Sequence, residues 1–401
     1  MPYYIGDVIK DAKNLIARTP EKFAETGVDI RLNTTVEEID IRKGEIRTAG
    51  GDRLPYDVLV MGTGSTATMP PIPGIELEGV FKLKTLRDGI AIKAYIDEKL
   101  CTRAVIVGAG FIAMEMCEGL RKRGIETQVV YRGELPVKKW DPEFSKVVLD
   151  EITGHGVSFL THRTPEGIER AADGSLRLMT SGGTIETDMI IFALGVKPET
   201  ELARAVGLTI GESGAIKVDF SQRTSMESVF AVGDCCEVYH RVSKEWVNIP
   251  LGDIANKQGR IAGSNIGGTP MIFPGVVGAQ CFKVFGLEVA ATGLDERAAI
   301  KSGYHPVSNL IWGTFVARSL SGGSQPRIGL KLIADRSTGK LLGAQAVGGG
   351  GAVSRINTLS ACLWAEMDLA QIGFMDLAYA PPFGGAWDII QTGAQILGRK
   401  L

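Results

Sequence analysis

Residues 103–132, RAVIVGAGFIAMEMCEGLRKRGIETQVVYR, constrain the fold of this chain more than any other stretch. Arg103 to Val107 is a short apolar run of the kind a buried parallel strand shows. Gly108, Gly110 and Ala113 follow it as G-x-G-x-x-A. Gly108 permits a sharp turn, Gly110 lets a pyrophosphate approach the backbone, and Ala113 keeps the next helix close to the sheet. That helix should run to about Arg123 and stop at Gly124 as its C-terminal cap. Thr127 to Tyr131 reads as a second strand. The motif alone is weak, because a glycine-rich turn also occurs without a ligand. Strand, turn, helix and second strand in this order point to nucleotide binding.

The 401 residues suffice for two or three domains with sizeable cores. With 44 basic and 46 acidic residues, nothing suggests nucleic acid or an anionic membrane as a partner. The 51 glycines sit at strand ends and turns rather than in repeats, as expected of a nucleotide-binding α/β protein. Six scattered cysteines without C-x-x-C argue against a secreted disulfide scaffold, so a cytoplasmic location is expected. No uncharged apolar run reaches the ~20 residues of a membrane helix, and MPYYIGDVIKD has no signal-peptide character. The four histidines show no metal-ligand spacing, so no metal is expected.

Along the chain, Thr19-Pro20-Glu21 starts a helix that ends at Gly27. Short strands are predicted over 28–32, 35–41 and 45–48, and another over 57–61 that ends in Gly62-Thr63-Gly64. The proline-rich stretch 70–74 reads as a linker or crossover. Helices are predicted over 85–100 and from Asp141-Pro142 to Gly154. Hairpins turn at Asp173-Gly174 and Gly182-Gly183. Buried strands over 188–194 and 229–232 end at Gly195 and Gly233-Asp234, and a helix covers about 254–263. Beyond Gly267-Gly268-Thr269-Pro270 the pattern changes to strands over 280–285, 288–292, 328–334 and 341–346, then a helical segment over 353–373. Residues 272–401 therefore read as a separate α+β domain.

Several stretches in a fixed order carry a family resemblance: MGTG at 61–64, GAGFIAMEM at 108–116, FALGVKP at 192–198, VFAVGD at 229–234, IPLGDIANKQGRIAG at 249–263 and AYAPPF at 378–383. The chain resembles the FAD-dependent pyridine nucleotide–disulfide oxidoreductases over essentially its whole length. It looks most like their single-cysteine group of coenzyme A disulfide reductases and NAD(P)H oxidases. The resemblance implies an α/β protein with two Rossmann-like domains, the FAD one interrupted by the NAD(P) one, and a C-terminal α+β domain that makes a homodimer. The matching boundaries are 1–85 and 200–271 for FAD, 86–199 for NAD(P), and 272–401 for dimerisation.

The resemblance also implies roles. Gly62, Thr63, Gly64 and Gly195 are implied to bind cofactor, and Gly233 closes a strand at the flavin. Asp234 accepts hydrogen bonds from ribityl hydroxyls, which a carboxylate does well. Pro250, Leu251 and Gly252 precede a helix whose amides point at the flavin's pyrimidine end. Phe111 and Ile112 match residues between flavin and nicotinamide, and Glu115 an acid near the nicotinamide. An acid at the end of the second strand would bind the ribose hydroxyls of NADH. Tyr131-Arg132 stands there instead, and Arg132 could grip a 2′-phosphate, so the donor is expected to be NADPH rather than NADH. The reaction implied is hydride transfer from nicotinamide to flavin and on to oxygen, a disulfide or a persulfide.

The chain departs from the family pattern in two places. In the family Pro2-Tyr3-Tyr4-Ile5-Gly6 is preceded by a redox cysteine and by about forty residues that carry the first FAD strand, its glycine turn and the ribose-binding acid. A start placed late, or a fragment, is the expectation. The alternative is a truncated, non-catalytic NAD(P)-binding dimeric paralogue. Cys235 and Cys236, next to Asp234, are expected to be buried thiols rather than a redox pair. Tyr379 matches a tyrosine that reaches the partner subunit's active site, but the second such tyrosine is absent between Trp312 and Pro326, which puts coenzyme A disulfide in doubt as substrate.

Overall fold

A computed structural model of the chain describes residues 1–317 and 327–401. They divide into two units: Met1–Lys10, Thr68–Gly195 and Val277–Leu401 form the first, and Asp11–Ala67 with Val196–Val276 the second.

The first unit contains a five-stranded parallel sheet in the order Val80–Lys82, Met189–Phe192, Arg103–Val107, Glu126–Val130, Val157–Leu160. Its central strand is apolar without alternation because both faces are covered, and Ala104 to Val107 are all buried. The helices Leu86–Lys99, Phe111–Lys122 and Pro142–Gly154 accompany it. The first starts at a capping box in which Thr85 and Asp88 satisfy each other's backbone amides. Pro165–Arg170, Leu176–Thr180 and Gly183–Thr187 form an antiparallel meander. Pro2–Ile5 is one helical turn against the helix Phe111–Lys122, where Gly6 and Gly119 meet so closely that a Cβ on Gly6 would lie 2.6 Å from the Gly119 Cα.

The same unit holds an antiparallel sheet in the order Gln280–Val284, Leu287–Gly293, Leu341–Gly348, Arg327–Asp335, Pro306–Thr314. The helices Ala352–Trp364, Leu369–Phe374 and Ile389–Gly398 complete it. Lys331, buried on the strand Arg327–Asp335, is neutralised by Asp141 and by Glu296, the latter at 2.8 Å.

The second unit has a three-stranded antiparallel sheet, Val36–Asp40, Glu45–Thr48 and Arg53–Pro55, and a parallel pair, Leu59–Met61 with Val229–Ala231. Ser65–Ala67 pairs with Val196–Pro198, and the helix Gly252–Ile266 packs Ile254 and Ile261 against Val238, Phe273 and Val276.

The structure differs from the sequence expectation in four places. Residues 28–32 form no strand; Val28, Ile30 and Leu32 are exposed, and no described strand pairs with them. The strand Pro306–Thr314 and the helix Ile389–Gly398 lie in stretches for which the sequence pattern predicts no particular element. The predicted helical segment 353–373 is two helices, broken at 365–368. No helix among the described residues is long and apolar enough to cross a membrane.

Candidate functional site

The site residues fall into a group in each unit. In the first unit the strand Arg103–Val107 delivers Gly108 in a conformation with φ +119, and a Cβ there would lie 2.4 Å from the Ala193 carbonyl oxygen. Only glycine fits that turn without strain. Gly108 N–H donates to Val130 O at 3.0 Å, which holds the turn over the neighbouring strand end. Gly110 caps the helix without a side chain, and nothing lies within 4 Å of where its Cβ would stand. The open approach and the free first-turn amides suit a pyrophosphate. Ala113 is fully buried, as the close helix–sheet contact requires. Phe111 is half-exposed and Ile112 partly exposed at the helix start.

Glu115 lies one turn further on. Burial pushes its carboxyl above the usual range, although the Tyr3 hydroxyl hydrogen-bonds it at 3.5 Å. Beyond the second strand, Tyr131 rests on Phe159 with ring centroids 6.1 Å apart, and its carbonyl accepts Arg163 N–H at 3.1 Å. Arg132 is exposed. Gly195, with φ +92, ends the segment that follows the strand Met189–Phe192, and its carbonyl accepts Thr68 N–H.

In the second unit Gly62, Thr63 and Gly64 follow the strand Leu59–Met61, and Gly233-Asp234 follow its parallel partner. Thr63 Oγ1 donates to Glu199 O at 2.6 Å, and Gly64 takes φ +71. Asp234 is anchored by Ser65, whose Oγ donates to Oδ2 at 2.8 Å. Two side chains brace the backbone of this turn. Gln258 Oε1 accepts Gly233 N–H at 2.9 Å, and Asn248 Nδ2 donates to the carbonyls of Asp234 and Cys236 at 2.9 and 3.1 Å. Pro250 and Leu251 lead into the helix at Gly252, whose N-terminus has no side-chain cap and whose first residue faces open space. A fixed carboxylate and an uncapped helix N-terminus suit a polyol and an electron-rich ring edge, so the residues fit a flavin.

Tyr379 belongs to neither group. It lies in the loop between Leu369–Phe374 and Ile389–Gly398 and is 54% exposed. Of the segment searched for a second tyrosine, 318–326 lies outside the described residues. Cys235 and Cys236 are buried, and burial raises the Cys236 thiol well above its usual pKa, so it is a poor nucleophile. Among the described residues no group of three His, Cys, Asp or Glu could hold a metal ion. Sequence reasoning missed Tyr3, Ser65, Asn248 and Gln258. Ser65 has a local signal, since it extends the Gly-Thr-Gly turn; the others act across long sequence separations.

Comparisons with known proteins agree with this arrangement. The pyridine nucleotide-disulphide oxidoreductase family model matches residues 4–259, and its dimerisation-domain model matches 279–389. An NAD(P)H sulfur oxidoreductase (CoA-dependent) from Pyrococcus furiosus is 35% identical over 399 residues, 98% of this chain and 89% of that protein. The structure of an NAD-dependent persulfide reductase from A. fulgidus superposes with TM-score 0.94 and 35% identity, covering 100% of this chain and 75% of that one. An engineered water-forming NADPH oxidase bound to NADPH, made from the Lactobacillus brevis NADH oxidase, gives 0.93 and 25%, covering 100% and 89%. The ordered glycine turns, the anchored aspartate and these matches place the chain in the pyridine nucleotide-disulphide oxidoreductase family, whose cofactors are FAD and NAD(P)H.

Proposed function

We propose that the chain is a homodimeric flavin-dependent oxidoreductase that uses NADPH to reduce a disulfide or persulfide, with oxygen as the competing acceptor. When bound, the nicotinamide supplies a hydride and the flavin accepts it. The chain's own residues bind and orient. The Gly108–Ala113 turn holds the pyrophosphate, Phe111 and Ile112 shape the nicotinamide face, and Glu115 holds the nicotinamide end. Asp234 holds the ribityl chain, and the helix N-terminus at Gly252 faces the pyrimidine. FAD is assigned to 1–85 and 200–271, NAD(P) to 86–199 and dimerisation to 272–401. Tyr379 is assigned to the partner subunit's active site.

The observation that carries this reading is the open glycine turn followed by a strand that ends in Tyr131-Arg132 rather than an acid. The engineered NADPH oxidase supports the choice of donor. Its five replaced positions stand 18, 1, 1 and 5 residues apart, and the third and fifth replacements introduce arginine. The same spacing from Ala113 falls on Tyr131, Arg132, Gly133 and Lys138, so basic residues already stand at both arginine positions. The sulfur-reducing relative at 35% identity supports sulfur as acceptor, and an NADH oxidase of Methanocaldococcus jannaschii at 33% supports oxygen as its competitor. The test is kcat/KM for NADPH and NADH with FAD present, without oxygen, on coenzyme A disulfide and on a glutathione persulfide, then with oxygen alone. NADPH preferred at least tenfold, and lost in Arg132→Ala, is the expected result. A preference for NADH, or turnover with oxygen but with neither sulfur substrate, overturns the assignment.

A further inference from the structure

A cleft of about 420 Å³ in the first unit lies outside both groups of site residues; it is lined by Glu118, Arg121, Lys122, His155, Lys283 and Phe285. Arg121 and Lys122 sit at the opposite end of the helix that begins at Gly110, roughly 15–18 Å along its axis. The cleft is organised by one buried carboxylate. Glu118 Oε1 accepts from Lys122 Nζ at 2.5 Å and from Lys283 Nζ at 2.9 Å, while Oε2 accepts Phe285 N–H at 2.8 Å. Arg121 is fixed by donating from Nε to His155 O and from Nη1 to Ile125 O, both at 3.1 Å. Arg121, Lys122 and Lys283 thus line the cleft, the two lysines bonded to Glu118; a second carboxylate, Glu151, stands beside His155, with Oε1 3.8 Å from Nδ1 and accepting Gly286 N–H at 2.7 Å. Among the described residues these bonds and that of Lys283 to Phe285 O use fewer than half of the donors that two ammonium groups and a guanidinium carry. The other wall is flat. The His155 ring lies on the Phe285 ring with centroids 4.0 Å apart and an interplanar angle of 8°. Stacked rings of this kind extend readily by one more planar ring.

We propose that this cleft binds a nucleotide at a site separate from the glycine turn, with its phosphates on Arg121, Lys122 and Lys283 and its base stacked on the His155–Phe285 pair. Its size is that of a small-molecule site. Glu118 holds together two lysines that would otherwise repel each other, so the phosphate end is formed before the ligand arrives. Phe285 takes φ +47 in the turn between the strands Gln280–Val284 and Leu287–Gly293.

The test is calorimetric titration of ADP into the full chain with FAD and saturating NADP⁺, so that both dinucleotide sites are filled. Adenosine and inorganic phosphate are titrated in parallel. One ADP per chain, bound at least tenfold more tightly than either fragment, is the expected result. Lys122→Ala and Phe285→Asn should each weaken it at least fivefold while the KM for NADPH stays unchanged. Both positions tolerate the change: Lys122 is half-exposed, and asparagine accepts a positive φ. No ADP heat, or binding indifferent to both variants, overturns the proposal and leaves the cluster as a clasp between helix and hairpin. Phosphate binding as tightly as ADP overturns the nucleotide assignment.

Discussion

Two glycines two residues apart do opposite work. A methyl at Gly108 meets a backbone oxygen at 2.4 Å and an unfavourable φ, whereas a methyl at Gly110 meets nothing within 4 Å. Gly108→Ala should therefore cost at least about 2 kcal/mol of stability. Gly110→Ala should leave the thermal midpoint unchanged and weaken NADPH binding at least tenfold. Equal losses of stability in the two variants would refute the distinction. His240 carries a pH effect. It is buried, and desolvation lowers its pKa to about 4, with Ser243 N–H donating to its Nδ1 at 3.2 Å. The unfolded chain takes up a proton near pH 6.5 that the folded chain refuses. This contribution is fully present above about pH 6.5 and is lost as pH falls towards 4, to the extent of roughly 2–4 kcal/mol. His240→Asn should flatten the urea midpoint against pH over that window, and an unchanged slope would exclude His240 as its source.

At the scale of elements, the Gly233-Asp234 turn depends on a helix that reaches it through one side chain. Gln258 is 1% exposed; it accepts from Gly233 N–H and donates to Glu237 O, both at 2.9 Å. Gln258→Leu strands a buried donor and a buried acceptor, which costs about 1–3 kcal/mol for each. We expect a fall in the second unit's stability of at least about 2 kcal/mol and FAD lost on gel filtration; retention of both would show that the brace is dispensable. Such a brace is invisible in the sequence because its partners lie 25 and 21 residues apart with no repeating pattern. The glycine turns were legible because each is a local object: strand, bend and helix are contiguous. The strand Pro306–Thr314 was missed because, on the sheet edge, its core-facing positions include a buried Asn309, whose amide donates to Gly393 O at 2.9 Å. The helix Ile389–Gly398 was obscured by the prolines and glycines before it, although Asp388 and Gln391 form a capping box that the sequence displays. The strand predicted over 28–32 had the right composition, but a strand exists only with a partner.

At the scale of the whole molecule, the C-terminal part presents aromatic surface: Phe374, Tyr379, Phe383 and Trp387 are all exposed, and the Phe374 and Trp387 rings meet edge to face at 6.1 Å. These residues lie within the dimerisation-domain match. Phe383→Asp with Trp387→Asp should shift the sedimenting species from two copies of 42.9 kDa to one; an unchanged profile would place the dimer contact elsewhere. The weave of the chain has a consequence during synthesis. Leu59 pairs with Val229, 170 residues later in the sequence. At about 5–20 residues per second, the first strand emerges from the ribosome on the order of ten seconds before its partner exists. The parallel pair Leu59–Met61 with Val229–Ala231 therefore closes only after residues 68–195 have been made.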